Sequence, residues 1–475
     1  MSRVCFVQLP HDSSLEGGAY RPPSVFPVGV ASLSAALRAR GHEVSVVDCW
    51  AYPDHFNDLV ERVRRCRPDL IGISSLSTQY WYAKRAASVL APLGVPMIFG
   101  GAGPTLSPRL FLEHTPAHFV VVGEGEETLP DVLANLDAPD AVLGIAFKRG
   151  DGEIVLNAAR PYVQSLDSLP LPDYSVFDMR PYLRATTVKG RREVAHTVIT
   201  SRGCPYTCGF CSLTFRGARY RSAESVLAEI DALERAYGPA QVKFSDELLL
   251  VPRRRAEDIA EGLARRRKQW SAQGRINIVD RSLLAYLKRS GCKTIGYGIE
   301  SGSDRILKAM NKRTSAAQIR DAVHWTVAEG LDILIQLIFG YPGEDEDSLR
   351  ETEALLTELQ IPAAFSVMTP LPGSPVYDDA RARGLIADED AYLDSIREGY
   401  LGHRRVALNF TSWSDDEFHD KKAAIERRIN RAAGDGLYQR RRSLRHPRLY
   451  IPRYGVGAWV RESMNRVGSR LGLAQ

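Results

Sequence analysis

Alternation between short apolar runs and longer amphipathic stretches is the feature that most limits how this chain can fold. Runs rich in Val, Ile and Leu, such as Val4–Leu9, recur through residues 1–150, and helix-like segments such as Val28–Gly41 separate them. Nearly continuous apolar strands with helices between them are typical of a parallel sheet covered on both faces. Hydrophobic residues make up 44% of the 475 residues, which is enough to bury such a core. We therefore predict an N-terminal doubly wound, Rossmann-like α/β domain over residues 1–150.

Glycines and small polar residues follow three of these predicted strands. They are Ser74-Ser75-Leu76, Gly100-Gly101-Ala102-Gly103 and Gly123-Glu124-Gly125-Glu126. Ligands bind doubly wound sheets at the carboxyl ends of the strands, and glycine lets the backbone approach a large ligand closely. Turn glycines are also common in such domains, so each group alone has a structural explanation. No Gly-x-Gly-x-x-Gly pattern follows the first strand, which argues against a NAD site.

Three of the seven cysteines stand together in the segment GCPYTCGFC, at Cys204, Cys208 and Cys211. Structural zinc sites usually have four ligands, often as two Cys-x-x-Cys pairs, and the sequence has no second pair. Three thiolates on one tight loop can instead hold three irons of a cubane cluster and leave the fourth iron open. The pattern therefore favours an iron–sulfur cluster with an open coordination site.

The N-terminal segment and the hydropathy of the chain bear on its location. The first residues enter a strand-like run directly and lack the pattern of a signal peptide. No apolar run is long enough to predict a transmembrane helix. We expect a cytoplasmic, reducing location, where clustered cysteines indicate metal or redox chemistry more than disulfides.

A second series of strand and helix units follows a linker. Residues 151–194 contain DSLPLPDYSVFD, which is rich in proline and aspartate and has no helical period. Six strand-like segments come after it: AHTVIT, QVKFSDE, GRINIVD, TIGYGIES, ILIQLIFG and FSVMTPL. Helix-like segments separate them, which predicts a partial (β/α)6 barrel over residues 195–385. In parallel barrels the reactive groups gather at the carboxyl ends of the strands.

The N-terminal domain resembles the cobalamin-binding domain. Its Ser-x-Leu and Gly-Gly groups match residues that line the pocket for the cobalamin nucleotide tail. The resemblance implies cobalamin contacts from Ser74, Leu76, Gly100, Gly101, Gly123 and Gly125. Many such domains carry Asp-x-His-x-x-Gly after the first strand, and its histidine binds cobalt. Here His11 precedes Asp12, so we expect no histidine ligand to cobalt.

The cysteine segment resembles the radical S-adenosylmethionine (SAM) superfamily. The spacing Cys-x-x-x-Cys-x-x-Cys matches that superfamily, and the aromatic Phe210 before the last cysteine fits it as well. The resemblance implies a [4Fe-4S] cluster on Cys204, Cys208 and Cys211, with SAM bound at the open iron and Phe210 beside it.

Further positions on the predicted barrel resemble the SAM-binding elements of the superfamily. Asp246 and Glu247, after the second strand, stand where the superfamily holds the methionine amino group. An acidic pair at a strand end is also often a helix cap. Glu300 resembles the position that binds the SAM ribose, and the segment GYPGE, with Gly340 and Glu344, resembles the element that packs on the adenine.

Together the two modules resemble the cobalamin-dependent radical SAM family, which includes methylases of antibiotic biosynthesis and an oxidative cyclase of bacteriochlorophyll synthesis. The resemblance implies that SAM cleavage yields a 5′-deoxyadenosyl radical and that cobalamin carries a methyl group. We expect a C-methyltransferase that acts on an unactivated carbon of a small metabolite in natural product biosynthesis. One alternative is a non-methylating radical cyclase, ring contractase or oxidase. Another is a cobalamin carrier or sensor with a vestigial cluster.

Residues 386–475 predict a small, mainly helical region that ends in a basic tail. The segment SWSDDEFHDKKAAIERRINRAAG predicts a helix with an acidic start and a basic end. The arginine-rich tail after it has three interpretations: a structural cap, a docking surface for an electron donor such as flavodoxin or ferredoxin, or attachment to an anionic membrane surface, which we favour less. We expect no nucleic-acid partner, because no recognition motif accompanies the charge.

Overall fold

The computed structural model describes residues 1–10, 26–183, 186–188, 191–399 and 406–435. His11, Asp12 and the basic tail after residue 435 lie outside these residues, so the predictions made for them stay predictions. The described residues form two compact units. Unit 1 comprises Met1–Arg184, Ala195–Gln273 and Val367–Asn409, and unit 2 comprises Ala185–Val194, Gly274–Ser366 and Phe410–Gln475.

The first sheet lies in unit 1 and has seven strands. They are β1 (Arg3–Gln8), β2 (Glu43–Asp48), β3 (Leu70–Ser74), β4 (Met97–Gly100), β5 (Phe119–Val121), β6 (Ile145–Lys148) and β7 (Ile154–Leu156). Their order is β2-β1-β3-β4-β5-β6-β7, with β1 to β5 parallel and the last two antiparallel. The predicted doubly wound domain is confirmed. The two antiparallel strands were not predicted, and β7 extends the sheet past residue 150.

In the described part of residues 1–183, seven α-helices accompany this sheet along the chain. They are α1 (Val28–Arg38), α2 (Leu59–Cys66), α3 (Tyr80–Leu90), α4 (Ala102–Leu106), α5 (Pro108–Glu113), α6 (Gly125–Ala134) and α7 (Arg180–Leu183). Strands β1 and β3 are buried along nearly their whole length, as expected of strands in a parallel sheet. The strand order reverses between β1 and β3, and such switch points are where doubly wound sheets bind ligands.

The remaining strands form a second large sheet and two short ribbons. They are β8 (Thr186–Val188), β9 (Arg191–Glu193), β10 (Ala195–Val198), β11 (Ser201–Arg202), β12 (Arg219–Tyr220), β13 (Gln241–Phe244), β14 (Trp270–Gly274), β15 (Cys292–Glu300), β16 (Asp332–Phe339) and β17 (Phe365–Val367). The large sheet has the order β10-β13-β14-β15-β16-β17, and β10–β13, β13–β14 and β15–β16 pair in parallel. This confirms the predicted partial barrel. The antiparallel pair β11–β12 follows the first barrel strand, and the antiparallel pair β8–β9 lies in the predicted linker.

Nine further helices follow the barrel strands or form the C-terminal region. They are α8 (Ala223–Tyr237), α9 (Arg253–Arg265), α10 (Arg281–Arg289), α11 (Asp304–Ala309), α12 (Ala316–Ala328), α13 (Glu346–Leu359), α14 (Pro375–Ala382), α15 (Glu389–Gly399) and α16 (Asp415–Asp435). Side chains of Ser222, Asp280 and Asp345 accept hydrogen bonds from backbone N–H groups of the turns that they precede, which fixes where α8, α10 and α13 begin.

The C-terminal helices confirm the predicted helical region. Helix α16 begins with the acidic residues Asp415, Asp416 and Glu417, as expected. Its last turn reads AAGD, so the predicted basic end is wrong, and its lysines and arginines lie in the middle of the helix instead. Across the described ranges, no helix combines the length and the apolar character needed to cross a bilayer.

Candidate active site

A cavity of about 350 Å³ in unit 1 adjoins the carboxyl ends of strands from both sheets. Its lining includes Ser74, Gly100, Gly101, Gly123 and Gly125 from the first sheet, and Asp246 and Glu247 from the end of β13. The structure thus brings five of the six predicted cobalamin residues together with two predicted SAM residues. Leu76 is not part of this lining, and its side chain is 39% exposed.

The glycines that line the cavity differ in why glycine is required. Gly101 has a φ of +98°, and a Cβ there would lie 2.7 Å from the carbonyl oxygen of Ser75, so the local backbone itself needs glycine. Gly100 has no such constraint, because its nearest neighbour to an added Cβ is the Cβ of Val121 at 3.9 Å. An added Cβ at position 100 would therefore make only an ordinary van der Waals contact with the protein.

Residues 203–218, here called the cysteine loop, join β11 to β12. Ser201–Arg202 and Arg219–Tyr220 pair at the base of the loop, and we call these four residues the neck. Gly203 has a φ of +78°, and a Cβ there would lie 2.2 Å from the carbonyl oxygen of Gly217, so only glycine allows the strands to approach so closely. Contacts that hold the loop from outside include two hydrogen bonds: the Val376 N–H donates to the Gly209 carbonyl (3.0 Å), and the Ser212 hydroxyl donates to the Pro372 carbonyl (2.6 Å).

The three predicted cluster ligands lie on this loop. Cys208 is buried, and Cys204 and Cys211 are half-buried. As they stand, no three His, Cys, Asp or Glu side chains in the described residues form a group that could hold a metal ion. The assignment of these three thiols as cluster ligands therefore stays a prediction, and Phe210 is half-buried on the same loop.

Asp246 is a buried carboxylate whose two oxygens differ in their hydrogen bonds. Its Oδ1 accepts hydrogen bonds from the Thr200 N–H (2.9 Å), the Thr200 hydroxyl (2.8 Å) and the Ser201 hydroxyl (2.5 Å). Its Oδ2 is buried and has no hydrogen-bond partner among the described residues. Burial raises the pKa of Asp246 above its ordinary value, and these hydrogen bonds oppose that rise only in part. One oxygen is thus free to accept a hydrogen bond from a cationic ligand. Glu247 is exposed at the cavity.

A group of four charged side chains, which we call the charged quartet, lies at the neck of the cysteine loop. Glu124 pairs with Arg202 (Oε1 to Nη1, 2.5 Å) and with Arg219 (Oε2 to Nη1, 2.8 Å). Glu126 pairs with Arg202 (Oε1 to Nη2, 2.5 Å) and accepts a hydrogen bond from the Ser32 hydroxyl (2.8 Å). Burial alone would raise the pKa of Glu126, but the Arg202 guanidinium outweighs it and holds that pKa below its ordinary value.

The charged quartet and one further segment of the cavity lining were missed in the sequence. Glu124 and Glu126 stand between and beside the glycines of the GEGE segment, where only the glycines were considered. Leu169, Pro170, Leu171 and Pro172 line the same cavity, although their segment was predicted to be a linker. The signal available in the sequence was the position of Arg202, two residues before the first cysteine of the motif.

In unit 2, the Glu300 carboxylate forms an ion pair with another residue of the same chain. Its φ is +66°, an uncommon value for a residue with a side chain, and it lies at an irregularity in β15. The Lys312 ammonium donates to Glu300 Oε1 at 2.8 Å, and both side chains are buried. Gly298 makes room for this pair, because a Cβ there would lie 2.2 Å from Glu300 Oε1. The predicted ribose contact is therefore a carboxylate that already has a cation.

Gly340 and Glu344, the other predicted SAM contacts in unit 2, bond to each other. The Gly340 N–H donates to Glu344 Oε2 at 2.6 Å. Burial raises the pKa of Glu344 to about 8, and this hydrogen bond lowers it only partly. Gly340 has a φ of +85°, and a Cβ there would lie 2.5 Å from the ring of Phe418. The packing of α16 thus gives Gly340 a structural role of its own.

Comparison with known proteins agrees with this geometry. The family model described as "B12 binding domain" matches residues 18–133, and the model "Radical SAM superfamily" matches residues 198–356. An uncharacterized methyltransferase of Pyrococcus horikoshii, PH0819, is 32% identical to this chain over 375 residues, which are 76% of this chain and 79% of that protein. The chain belongs to the cobalamin-dependent radical SAM family.

Two other similar proteins bear on this cobalamin-dependent radical SAM enzyme. An anaerobic magnesium-protoporphyrin IX monomethyl ester cyclase of Cereibacter sphaeroides is 29% identical over 412 residues, which are 82% of this chain and 65% of the cyclase. The structure of the cobalamin-dependent SAM radical enzyme OxsB with aqua-cobalamin bound has a TM-score of 0.65 at 23% identity. That match covers 81% of this chain and 56% of OxsB, and at this identity it shows the fold alone.

The cofactors of this cobalamin-dependent radical SAM enzyme are a [4Fe-4S] cluster, SAM and cobalamin. The described residues fit these groups in three ways. The three thiols of the cysteine loop are the donor type that iron–sulfur clusters require. The unpartnered Asp246 Oδ2 suits an ammonium group, and the open space beside Gly100 suits a bulky ligand at the strand ends.

Proposed function

We propose that this protein is a C-methyltransferase that places a methyl group on an unactivated carbon of a small molecule. The observation that carries the proposal is the shared cavity, because predicted cobalamin residues and predicted SAM residues line the same space in unit 1. A methyl group can pass between two bound molecules only when their reacting atoms lie close together. The name of the Pyrococcus relative supports the same activity.

In this proposal, each group of residues has a separate task. Cys204, Cys208 and Cys211 hold the cluster. Ser74, Leu76, Gly100, Gly101, Gly123 and Gly125 hold cobalamin, and Phe210, Asp246, Glu247, Glu300, Gly340 and Glu344 contact SAM. When bound, these cofactors supply radical formation and methyl transfer, while the chain orients them and excludes water. Asp246 Oδ2 orients the methionine end of SAM by accepting a hydrogen bond from its amino group.

The name of the Cereibacter relative favours a second candidate, a radical cyclisation without methylation. Product analysis with methyl-labelled SAM separates the two. We expect a product heavier than the substrate by one CH2 group that carries the label. A product of unchanged or lower mass that forms alongside 5′-deoxyadenosine would support the cyclase, ring contractase or oxidase. Failure to form 5′-deoxyadenosine with an intact cluster would support a carrier or sensor.

The cluster assignment is tested by replacing Cys204, Cys208 and Cys211 together with alanine. We expect the anaerobically reconstituted protein to contain about four irons per chain and the triple variant to contain almost none, because the cluster loses all its protein ligands. Iron and sulfide analysis with electron paramagnetic resonance (EPR) measures this. Cys5→Ala is the control, since Cys5 is fully buried in β1 and its loss affects only stability. A full cluster in the triple variant would contradict the assignment.

The cobalamin assignment is tested by Gly100→Val. Gly100 lines the cavity, and a Cβ there would lie no closer than 3.9 Å to a protein atom, so we expect the added side chain to exclude the ligand while the fold is kept. We expect hydroxocobalamin binding to weaken by about a hundredfold or more, measured by equilibrium dialysis with absorbance detection. Gly150→Val, at an open position away from the cavity, is the control. Unchanged binding by Gly100→Val would place cobalamin elsewhere.

The electron that reduces the cluster comes from outside the chain in this proposal. Flavodoxin or ferredoxin is the kind of donor that we expect. Turnover with purified flavodoxin or with a chemical reductant measures this, and turnover that no protein donor supports would exclude both donors. The small-molecule substrate is proposed only as a class, with an unactivated C–H bond as its reacting group.

A further inference from the structure

The charged quartet, formed by Glu124, Glu126, Arg202 and Arg219, lies outside the predicted cofactor contacts and joins separate segments of unit 1. Glu124 and Glu126 belong to the segment that follows β5, whereas the two arginines belong to the neck. The carboxylates are 5% exposed, and the arginine side chains are 21% and 13% exposed. The quartet is therefore a largely buried and electrically balanced group of two cations and two anions.

The neck brings two like charges face to face. Arg202 and Arg219 are direct partners in the antiparallel pair β11–β12, and like charges opposite each other destabilise such a pair. Glu124 accepts from both guanidinium groups: its Oε1 accepts from Arg202 and Arg219, and its Oε2 accepts from Arg219. A single carboxylate thus contacts both strands of the neck and ties the entry and the exit of the cysteine loop to one point.

Glu124 also touches the other side of the site. It stands between Gly123 and Gly125, and these three residues line the cavity together with Glu126 and Arg202. Its Oε2 accepts a further hydrogen bond from the Val163 N–H at 2.7 Å. The segment that faces the proposed cobalamin site and the neck of the cysteine loop therefore share one buried side chain.

We propose that Glu124 is a positioning residue that fixes the cysteine loop relative to the cobalamin end of the cavity. The proposal rests on the proposed function and deepens it. Its consequence is that this carboxylate sets the separation between the cluster and cobalt. Arg219 has other contacts that keep it in place, namely a hydrogen bond to the Val163 carbonyl (2.6 Å) and the ring of Tyr162 at 4.7 Å. Loss of Glu124 leaves the positive charges of Arg202 and Arg219 less neutralised. Their mutual repulsion then separates the two strands of the neck.

The first test needs no cofactor. Hydrogen–deuterium exchange of the full chain before reconstitution reports how often the neck opens. We expect Glu124→Gln to exchange about tenfold faster at residues 201–202 and 219–220, because a buried charged contact is lost. Glu127→Gln is the matched control, since Glu127 lies in the first turn of the helix that Glu124 precedes, is 52% exposed and, among the described residues, forms an ion pair only with Arg160, at 4.0 Å. Exchange of Glu124→Gln at the rate of the control would overturn the proposal.

A double variant separates positioning from simple charge imbalance. Glu124→Gln with Arg219→Gln removes one charge of each sign and leaves Arg202 paired with Glu126. If Glu124 acts as the tie between the two strands, the double variant folds stably and the neck still exchanges faster than in the natural protein. A return to the slow exchange of the natural protein would show that only charge balance matters, and would overturn the proposal. The double variant also keeps the test valid if Glu124→Gln alone does not fold.

The second test reads the separation of the two cofactors without turnover. In protein loaded with cob(II)alamin and the reduced cluster, the rapidly relaxing cluster shortens the spin relaxation time of cobalt, and this effect depends steeply on distance. We expect Glu124→Gln to change that relaxation enhancement about twofold or more at equal iron and cobalamin content, because a loop opened by loss of a buried charged contact shifts the cluster. Glu127→Gln leaves it unchanged. The same relaxation enhancement in Glu124→Gln and in the natural protein would show that Glu124 does not set the separation between the cluster and cobalt, and would overturn that consequence. Loss of either cofactor from the natural protein itself would instead contradict the proposed function.

Discussion

Asp246 in unit 1 and Glu300 in unit 2 are both buried carboxylates at the end of a barrel strand, but their surroundings differ. Asp246 accepts three hydrogen bonds on one oxygen and keeps the other without a partner among the described residues. Glu300 is paired with the buried ammonium of Lys312. A buried carboxylate oxygen that stays unpaired costs free energy, and such a cost is typical of sites that bind a ligand.

The comparison shows that two carboxylates at similar positions in the sequence can differ in whether an oxygen is available to bind a ligand. Asp246 keeps a buried oxygen with no hydrogen-bond partner among the described residues, whereas Glu300 is paired with Lys312 and Glu344 accepts a hydrogen bond from the Gly340 N–H. A SAM contact from Glu300 would have to share the carboxylate with Lys312. The carboxylates of unit 2 should therefore contribute first to stability, and that of Asp246 first to binding.

Glu300→Gln should have the largest effect on stability. It leaves the Lys312 ammonium buried without its anion, which costs about 3 kcal/mol in the free energy of unfolding. Hydrogen exchange of the β15 and β16 amides measures this cost within unit 2. The matched control is Glu358→Gln, which removes an exposed partner of Arg320 and should change stability by less than about 1 kcal/mol. Unchanged stability with a strong loss of SAM affinity would reverse the assignment of Glu300.

Asp246→Asn should affect binding more than stability. The asparagine oxygen can still accept the hydrogen bonds from Thr200 and Ser201, so the fold is kept. The negative charge at the cavity is lost, and a hydrogen bond between charged groups is worth about 2 kcal/mol. We expect SAM to bind about thirtyfold more weakly to the reconstituted protein, as measured by anaerobic equilibrium dialysis. A loss of stability without a change in SAM affinity would make Asp246 a structural residue like Glu300.

Glu344 provides the most specific effect, a dependence of stability on pH. Burial raises its pKa from the ordinary 4.5 to about 8 in the folded chain. The folded state therefore binds more protons than the unfolded state between these values. The resulting stability is fully present below pH 4.5 and is lost as the pH rises through about 8. The slope is at most about 1.4 kcal/mol per pH unit.

Glu344→Gln should remove this slope, because glutamine does not titrate. Hydrogen exchange of unit 2, corrected for the intrinsic effect of pH, gives the opening free energy of both proteins from about pH 5 to about pH 9. We expect the two proteins to diverge as the pH rises, with the variant more stable at the upper end. Parallel profiles would mean that Glu344 is ionised throughout, and the contrast with Asp246 would then lose part of its basis.

Local signals in the sequence were sufficient for most of the fold. The helix-like segment predicted between AHTVIT and QVKFSDE is Ala223–Tyr237 in the structure, because Ser222 caps it. The cysteine spacing and the strand-end glycines similarly led to residues that do lie on one loop and around one cavity. These features are predictable because each depends on neighbours only a few residues away.

Other features depend on residues far apart in the chain and could not be predicted. Arg202 meets Glu124 across 78 positions, and Arg219 meets it across 95. Nothing in the sequence near the arginines indicates those partners. Likewise, Gly340 was interpreted as a ligand contact, whereas its contact with Phe418 comes from a helix 75 or more positions later. Strands β6 and β7 were missed because they are short and lie beyond the last glycine group.

The hydrogen bonds from Thr200 and Ser201 to Asp246 have a consequence for the order in which the protein is assembled. These two residues come directly before Arg202, and Ser201 is itself a residue of β11. A ligand that binds Asp246 Oδ2 therefore acts on the strand from which the cysteine loop starts. If closure of the cysteine loop raises the affinity for that ligand by some factor, the bound ligand raises the equilibrium constant of loop closure by the same factor, because linkage between two sites is reciprocal. The fully loaded state therefore has the same free energy whether SAM or the cluster binds first.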